Sequence, residues 1–145
     1  IRKMKRLLFI LPLILLSLVS CKKDEPLPEQ LEVNRNNISG QWELVEWNGN
    51  NLEEGSFFRI ELVRNDATFT IWQNFDAFPS LSREITGTYA LRTDDSFRTV
   101  ITGKYDHDAG MWAHEYIVES LTSDTMVWKA ADDFSFIQVF RRSVQ

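Results

Sequence analysis

From Gly40 onward the chain alternates apolar and polar residues with a period of two, and the apolar positions are rich in β-branched and aromatic side chains. That period belongs to half-buried strands, not to helices. It predicts strands over Gln41–Trp47, Phe57–Val63, Ala67–Gln73, Glu84–Arg92, Phe97–Tyr105, Met111–Leu121, Thr125–Ala130 and Phe134–Arg142. Turn-forming groups separate them, among them Asn48-Gly49-Asn50-Asn51, Arg64-Asn65-Asp66, Thr93-Asp94-Asp95-Ser96 and Asp132-Asp133. The connections are short except for Asn74–Ser82, so sequence neighbours pair antiparallel. Eight such strands with no amphipathic helix between them are expected of an all-β, eight-stranded up-and-down barrel, which removes its own edges. A two-sheet sandwich is the alternative, but it needs long crossovers between sheets, and none of obvious length is present.

Alternation also sorts the faces. Ile60 and Leu62, Phe69 and Ile71, Tyr89 and Leu91, Tyr116 and Val118, Met126 and Trp128, Phe136 and Phe140 fall on one apolar side. Arg59, Glu61, Thr68, Thr70, Thr86, Thr88, Glu115 and Lys129 fall on the other. Trp47, Trp72 and Trp112 are expected off the inner face or near loops. One bulge would reverse part of this assignment.

The first 36 residues follow other rules. Arg2, Lys3, Lys5 and Arg6 precede an apolar run from Leu7 to Val19, broken by Pro12 and Ser17. The run is shorter than the ~20 residues of a spanning helix and fits a cleaved signal segment over 1–20. Met4 is the expected start. Leu18-Val19-Ser20-Cys21 resembles the lipobox of bacterial lipoproteins, which implies that Cys21 carries lipid and anchors the protein to a membrane. Two or more acyl chains, at ~0.8 kcal/mol per buried methylene, make such an anchor stable. Lys22 to Asn36, with Pro26 and Pro28, reads as a flexible tether of up to ~45 Å. An outer-membrane location is expected; Asp24-Glu25 behind the lipidated cysteine resembles the surface-export signals of some Gram-negative lipoproteins, which implies surface exposure, and a plain solvated spacer is the alternative reading. The organisation is then 1–20 signal peptide, 21–36 lipidated cysteine and linker, and 37–145 barrel domain.

Charge narrows the partners. The whole chain has 16 basic and 21 acidic residues, net −5, and losing the four basic residues of the leader takes it to −9. Nucleic acid is excluded as an expected partner, because phosphate binding needs a basic surface. Cys21 is the sole cysteine. With its sulfur acylated no disulfide forms, and the expected state is a monomer held by its core alone.

Ile38-Ser39-Gly40-Gln41-Trp42 resembles the Gly-x-Trp entry to the first strand of lipocalins. Gly87-Thr88-Tyr89, Tyr116-Ile117-Val118 and Asp124-Thr125-Met126-Val127-Trp128 extend the likeness to bacterial lipocalin-like lipoprotein domains. The resemblance implies that Trp42 plugs the closed end of the barrel and that an arginine near the end of the last strand packs across it. Arg142 is the matching position and Arg141 the alternative. It further implies capture of a small hydrophobic or amphipathic ligand, with Ile60, Leu62, Phe69, Ile71, Tyr89, Tyr116, Val118, Met126 and Trp128 as candidate contacts.

Other chemistry finds little support. Asp106-His107-Asp108 with His114 and Glu115 has metal-ligand residue types in no defensible spacing, and Asp-rich turns are ordinary. Nucleophile, phosphate-loop and paired-base motifs are missing, so neither enzyme activity nor a cofactor is expected. Two readings remain open for the barrel. Either it holds a cavity for a small ligand, or its bulky side chains fill it and its loops contact a protein or glycan.

Overall fold

The structure is a computed structural model that describes residues 25–75 and 83–144. The signal segment 1–20 and Cys21 lie outside the described residues, as does most of the long loop before Arg83. Strands run β1 Gly40–Trp47, β2 Asn50–Asn51, β3 Phe58–Val63, β4 Thr68–Gln73, β5 Arg83–Thr93, β6 Thr99–Tyr105, β7 Tyr116–Leu121, β8 Thr125–Ala130 and β9 Ile137–Arg142. Every pairing is antiparallel between neighbours, and β1 also pairs with β9. Eight strands thus close into a barrel, with the two-residue β2 laid on the end of β1. The meander needs no crossover, which is why the sandwich alternative fails.

The expected strand boundaries hold to within a residue or two in the first half of the barrel and over Thr125–Ala130, but the strands expected from Phe97, Met111 and Phe134 begin two to five residues later. Phe97 is not in a strand but at the tip of the β5–β6 turn, 91% exposed. Residues 111–115 lie alongside β6 without forming a regular ladder, touching it through the Lys104–Met111 bridge and the Trp112 N–H on Gly103 O. Phe134 to Phe136 belong to the loop before β9.

The closed end is a layered plug. Trp42 is fully buried and its Nε1–H donates to Ile38 O at 2.8 Å. The Arg142 guanidinium lies over the indole, 4.1 Å from its centroid. It donates to Ser39 O, Asn37 O and Ser123 O at 2.6, 2.9 and 2.7 Å. Gly40 is required here. Its φ is +122°, and a side-chain carbon at this position would sit 2.7 Å from the guanidinium. An indole buries ~150–250 Å², which at ~25 cal/mol per Å² contributes about 4–6 kcal/mol. Burial pulls the Arg142 pKa below the usual guanidinium value, opposed by the Asp124 charge. Arg141 pairs with Glu43 and Thr125 and has no part in the plug.

The linker expected to run free to residue 36 is shorter. Leu31 N–H donates to Leu121 O at 2.8 Å, and the Gln30 side chain accepts from Ser120 Oγ and Leu121 N. Leu31 and Val33 pack on the core. Asn34 caps the one-turn helix α1, Arg35–Ile38, through Asn37 N. Two apolar residues at alternate positions gave this stretch a core-facing side that its polar neighbours disguised.

Candidate functional site

The interior divides into two zones. Toward the closed end Leu44, Leu62, Phe69, Tyr89, Ile101, Val118, Leu121, Met126 and Phe140 form one buried cluster with Trp42. Toward the other end lies a cavity of about 320 Å³, open to solvent. That volume sits at the lower edge of small-ligand pockets.

Two bulges and a loop decide what lines it. Alternation carries Trp42 and Leu44 inward and would put Glu46 in the bore next. A register shift between Leu44 and Glu46 skips a residue, so Trp47 turns inward. The second shift, between Val118 and Ser120, leaves Tyr116 and Val118 inside and brings Leu121 to the core. The segment before β7 delivers Trp112. Its indole lies flat on Gly103, where an added side-chain carbon would come within 2.0 Å of the ring. Trp47, at the end of β1, and Trp112, in the irregular segment before β7, thus stand beside loops as one expected alternative had it, but they face the cavity. Trp72 does stay off the inner face, with Nε1 on Glu84 Oε2 at 3.1 Å.

Of the nine candidate contacts, Ile60, Ile71, Tyr116 and Trp128 line the cavity. Leu62, Phe69, Tyr89, Val118 and Met126 do not; they are buried beneath it. The lining residues missed by sequence reasoning are Trp47, Phe58, Phe75 and Tyr105, then Trp112, Ala113 and His114, with Gln73 and Gln138. Phe136, placed on the inner face by alternation, does line it. For Phe58 and Gln73 the signal was present in the alternation of β3 and β4. For Trp112, Ala113 and His114 there was none, since they sit in an irregular segment.

The walls are mostly aromatic and mutually braced. Tyr116 stacks on Trp128 at 5.1 Å, and Trp128 continues to Trp112 at 5.7 Å. Across the mouth Trp47 meets Phe136 edge-on at 5.2 Å, and Phe58 stacks on Phe75 at 5.9 Å. Such pairs favour centroid separations of ~4.5–7 Å and add ~0.5–1.5 kcal/mol each. Among the described residues none of those lining the cavity is Asp, Glu, Lys or Arg. Burial pushes the Tyr116 phenol up to about 12, helped by Tyr105 and Asp132, so it stays neutral.

Three polar side chains punctuate this wall. His114 stands at the rim, its Nδ1 2.8 Å from Asp132 Oδ1 and its ring 4.9 Å from Phe136. Gln73 Oε1 accepts the Phe75 N–H at 2.7 Å. Gln138 is 6% exposed, and its carboxamide has no hydrogen-bond partner among the described residues. On the same wall the Nε1–H groups of Trp112 and Trp128 are also buried without an acceptor.

The suspected metal cluster is dispersed. His114 is taken by Asp132, Glu115 by Arg92 at 2.6 Å, and Asp106 by the Thr86 hydroxyl at 2.6 Å. Among the described residues no three His, Cys, Asp or Glu side chains converge on a point that would hold a metal ion. The family model of the lipocalin-like domain matches residues 38–128. No curated protein matches the chain.

Proposed function

The chain belongs to the lipocalin-like domain family, and on that premise we propose that it is a membrane-anchored binding protein of the cell envelope. In this reading its barrel captures a small, uncharged, largely apolar ligand. One observation carries the proposal: the cavity of about 320 Å³ has aromatic walls and no carboxylate, ammonium or guanidinium among the described residues of its lining. A charged ligand would lose its hydration there without gaining a partner. The filled-barrel alternative is disfavoured by the same volume. Anchoring rests on Leu18-Val19-Ser20-Cys21 and its apolar leader.

Titrating the full chain with the uncharged fluorophore N-phenyl-1-naphthylamine tests the cavity. Saturable binding is expected, weakened about tenfold or more by Trp128→Ala, which removes a wall, provided circular dichroism shows the barrel intact. Absence of binding to the intact chain removes the proposal. Cys21→Ala is expected to abolish acyl labelling and membrane fractionation; undiminished acylation would refute the anchor.

A further inference from the structure

Gln138 lines the cavity, is more than nine-tenths buried, and its carboxamide has no hydrogen-bond partner among the described residues. It sits on β9 directly across from Trp47 of β1 on one side and Trp128 of β8 on the other. A glutamine offers an acceptor oxygen and a donor nitrogen side by side, and neither has a protein partner among the described residues whichever way the amide is turned. The cavity is open to solvent, so water meets this amide when no ligand is present, and a ligand that displaced that water without replacing its hydrogen bonds would lose affinity. Gln73, by contrast, spends its oxygen on the Phe75 N–H and is part of the wall. The two orphaned indole donors, Trp112 Nε1 and Trp128 Nε1, make an acceptor the atom in shortest supply here.

Building on the cavity's reading as a ligand site, we propose that its ligand is an uncharged planar ring compound bearing an acceptor and a donor on adjacent atoms, as in a cyclic amide. Gln138 reads that pair, and the faces of Trp128 and Tyr116 hold the ring. An alkyl chain would leave the carboxamide unmet. A polyol would set many hydroxyls against aromatic walls that cannot answer them. A carboxylate or an amine would find no counter-charge in the lining. A flat ring fits the offset-stacking geometry that the walls already use among themselves.

Four probes of the full chain in phosphatidylcholine nanodiscs, with empty nanodiscs subtracted, test this by calorimetry. Quinolin-2(1H)-one carries the adjacent N–H and C=O. Its N-methyl derivative lacks the donor, naphthalene lacks both, and 1-dodecanol is the chain-like competitor. The lactam is expected to bind about tenfold more tightly than either of the other ring compounds, the worth of a hydrogen-bonded pair in a buried site. Gln138→Leu is expected to erase that advantage, so that lactam and naphthalene bind the variant alike. The N-methyl comparison needs no variant, so it decides the matter even if Gln138→Leu fails to fold. Equal binding of lactam and naphthalene, or tightest binding of dodecanol, overturns the ligand class and leaves the cavity reading standing. If N-phenyl-1-naphthylamine and all four probes fail to bind, the cavity reading itself falls and takes this proposal with it.

Discussion

Gly103→Ala tests how the cavity wall is built. An added methyl carbon would lie 2.0 Å from Trp112 Cε2, 2.3 Å from Cδ2 and 2.4 Å from Nε1. Carbon atoms in contact settle near 3.5–4.0 Å, so the indole must retreat by about 1.5 Å. Phe69, at 5.1 Å, and Trp128, at 5.7 Å, block it sideways, and the free space lies toward the cavity. Two effects then compete. Replacing a strand glycine whose φ is ordinary removes unfolded-state freedom and stabilises by ~0.4–1 kcal/mol. Overpacking a well-filled site destabilises by ~1–3 kcal/mol. Overpacking wins, for a net loss of roughly 1–2 kcal/mol, and the displaced ring narrows the cavity and weakens N-phenyl-1-naphthylamine binding several-fold. Urea unfolding and probe titration measure the two consequences. Trp112→Ala in the same background removes the clash, so the double variant is expected to lose at least 1 kcal/mol less than the sum of the single losses. A Gly103→Ala protein as stable as the parent, binding the probe equally well and additive with Trp112→Ala, would show that Trp112 is not seated on β6.

Two other outcomes follow from the same packing. Trp42→Ala is expected to cost ~3–5 kcal/mol, the usual range for a fully buried indole, by urea unfolding; a loss below about 1 kcal/mol, the scale of exposed positions, would remove Trp42 from the plug. Tyr116 has its folded pKa raised above the unfolded value of about 10, so its contribution is complete below pH 10 and is lost as pH climbs toward about 12. Between pH 9 and 11 the parent is expected to lose about 1 kcal/mol more than Tyr116→Phe; identical losses in the two proteins would mean that the phenol is not desolvated.

The closed end was legible in the sequence because its parts obey local rules. Gly40 and Trp42 sit two apart on a strand entry, and Arg142 lies opposite Trp42 in the β1–β9 register. The open end was not, and the reasons are particular. A bulge leaves no compositional mark in Glu43-Leu44-Val45-Glu46, yet it decides whether Glu46 or Trp47 enters the bore. Trp112 and His114 reach the cavity from a segment whose alternation imitates a strand that does not form. Phe97 shows the converse failure: a bulky aromatic just before Arg98-Thr99-Val100 read as strand, but it occupies a turn at φ +61°, held in place by the Asp94 side chain capping Ser96 and Arg98. The packed part of the linker escaped notice because Leu31 and Val33 stand among charged and amide residues.

The same residues explain why one barrel is solid at one end and open at the other. Aliphatic chains such as Leu44, Leu62 and Met126 meet across the bore and fill it, since their branches and flexible stems interlock at any small spacing. Phe69 and Phe140 are packed into that filled layer among them, whereas toward the open end rings meet mainly other rings. Trp47, Trp112, Tyr116, Trp128 and Phe136 satisfy their faces with one another along the wall, in stacked and edge-on pairs. Each ring has two torsions and is braced on both sides, so collapse into the bore would forfeit pair contacts on the wall to gain contacts across it. The opening is therefore set by the shape and mutual support of the aromatic layer. A planar guest of the proposed kind would meet that layer already in position, and so without the ordering cost that a softer aliphatic lining would impose.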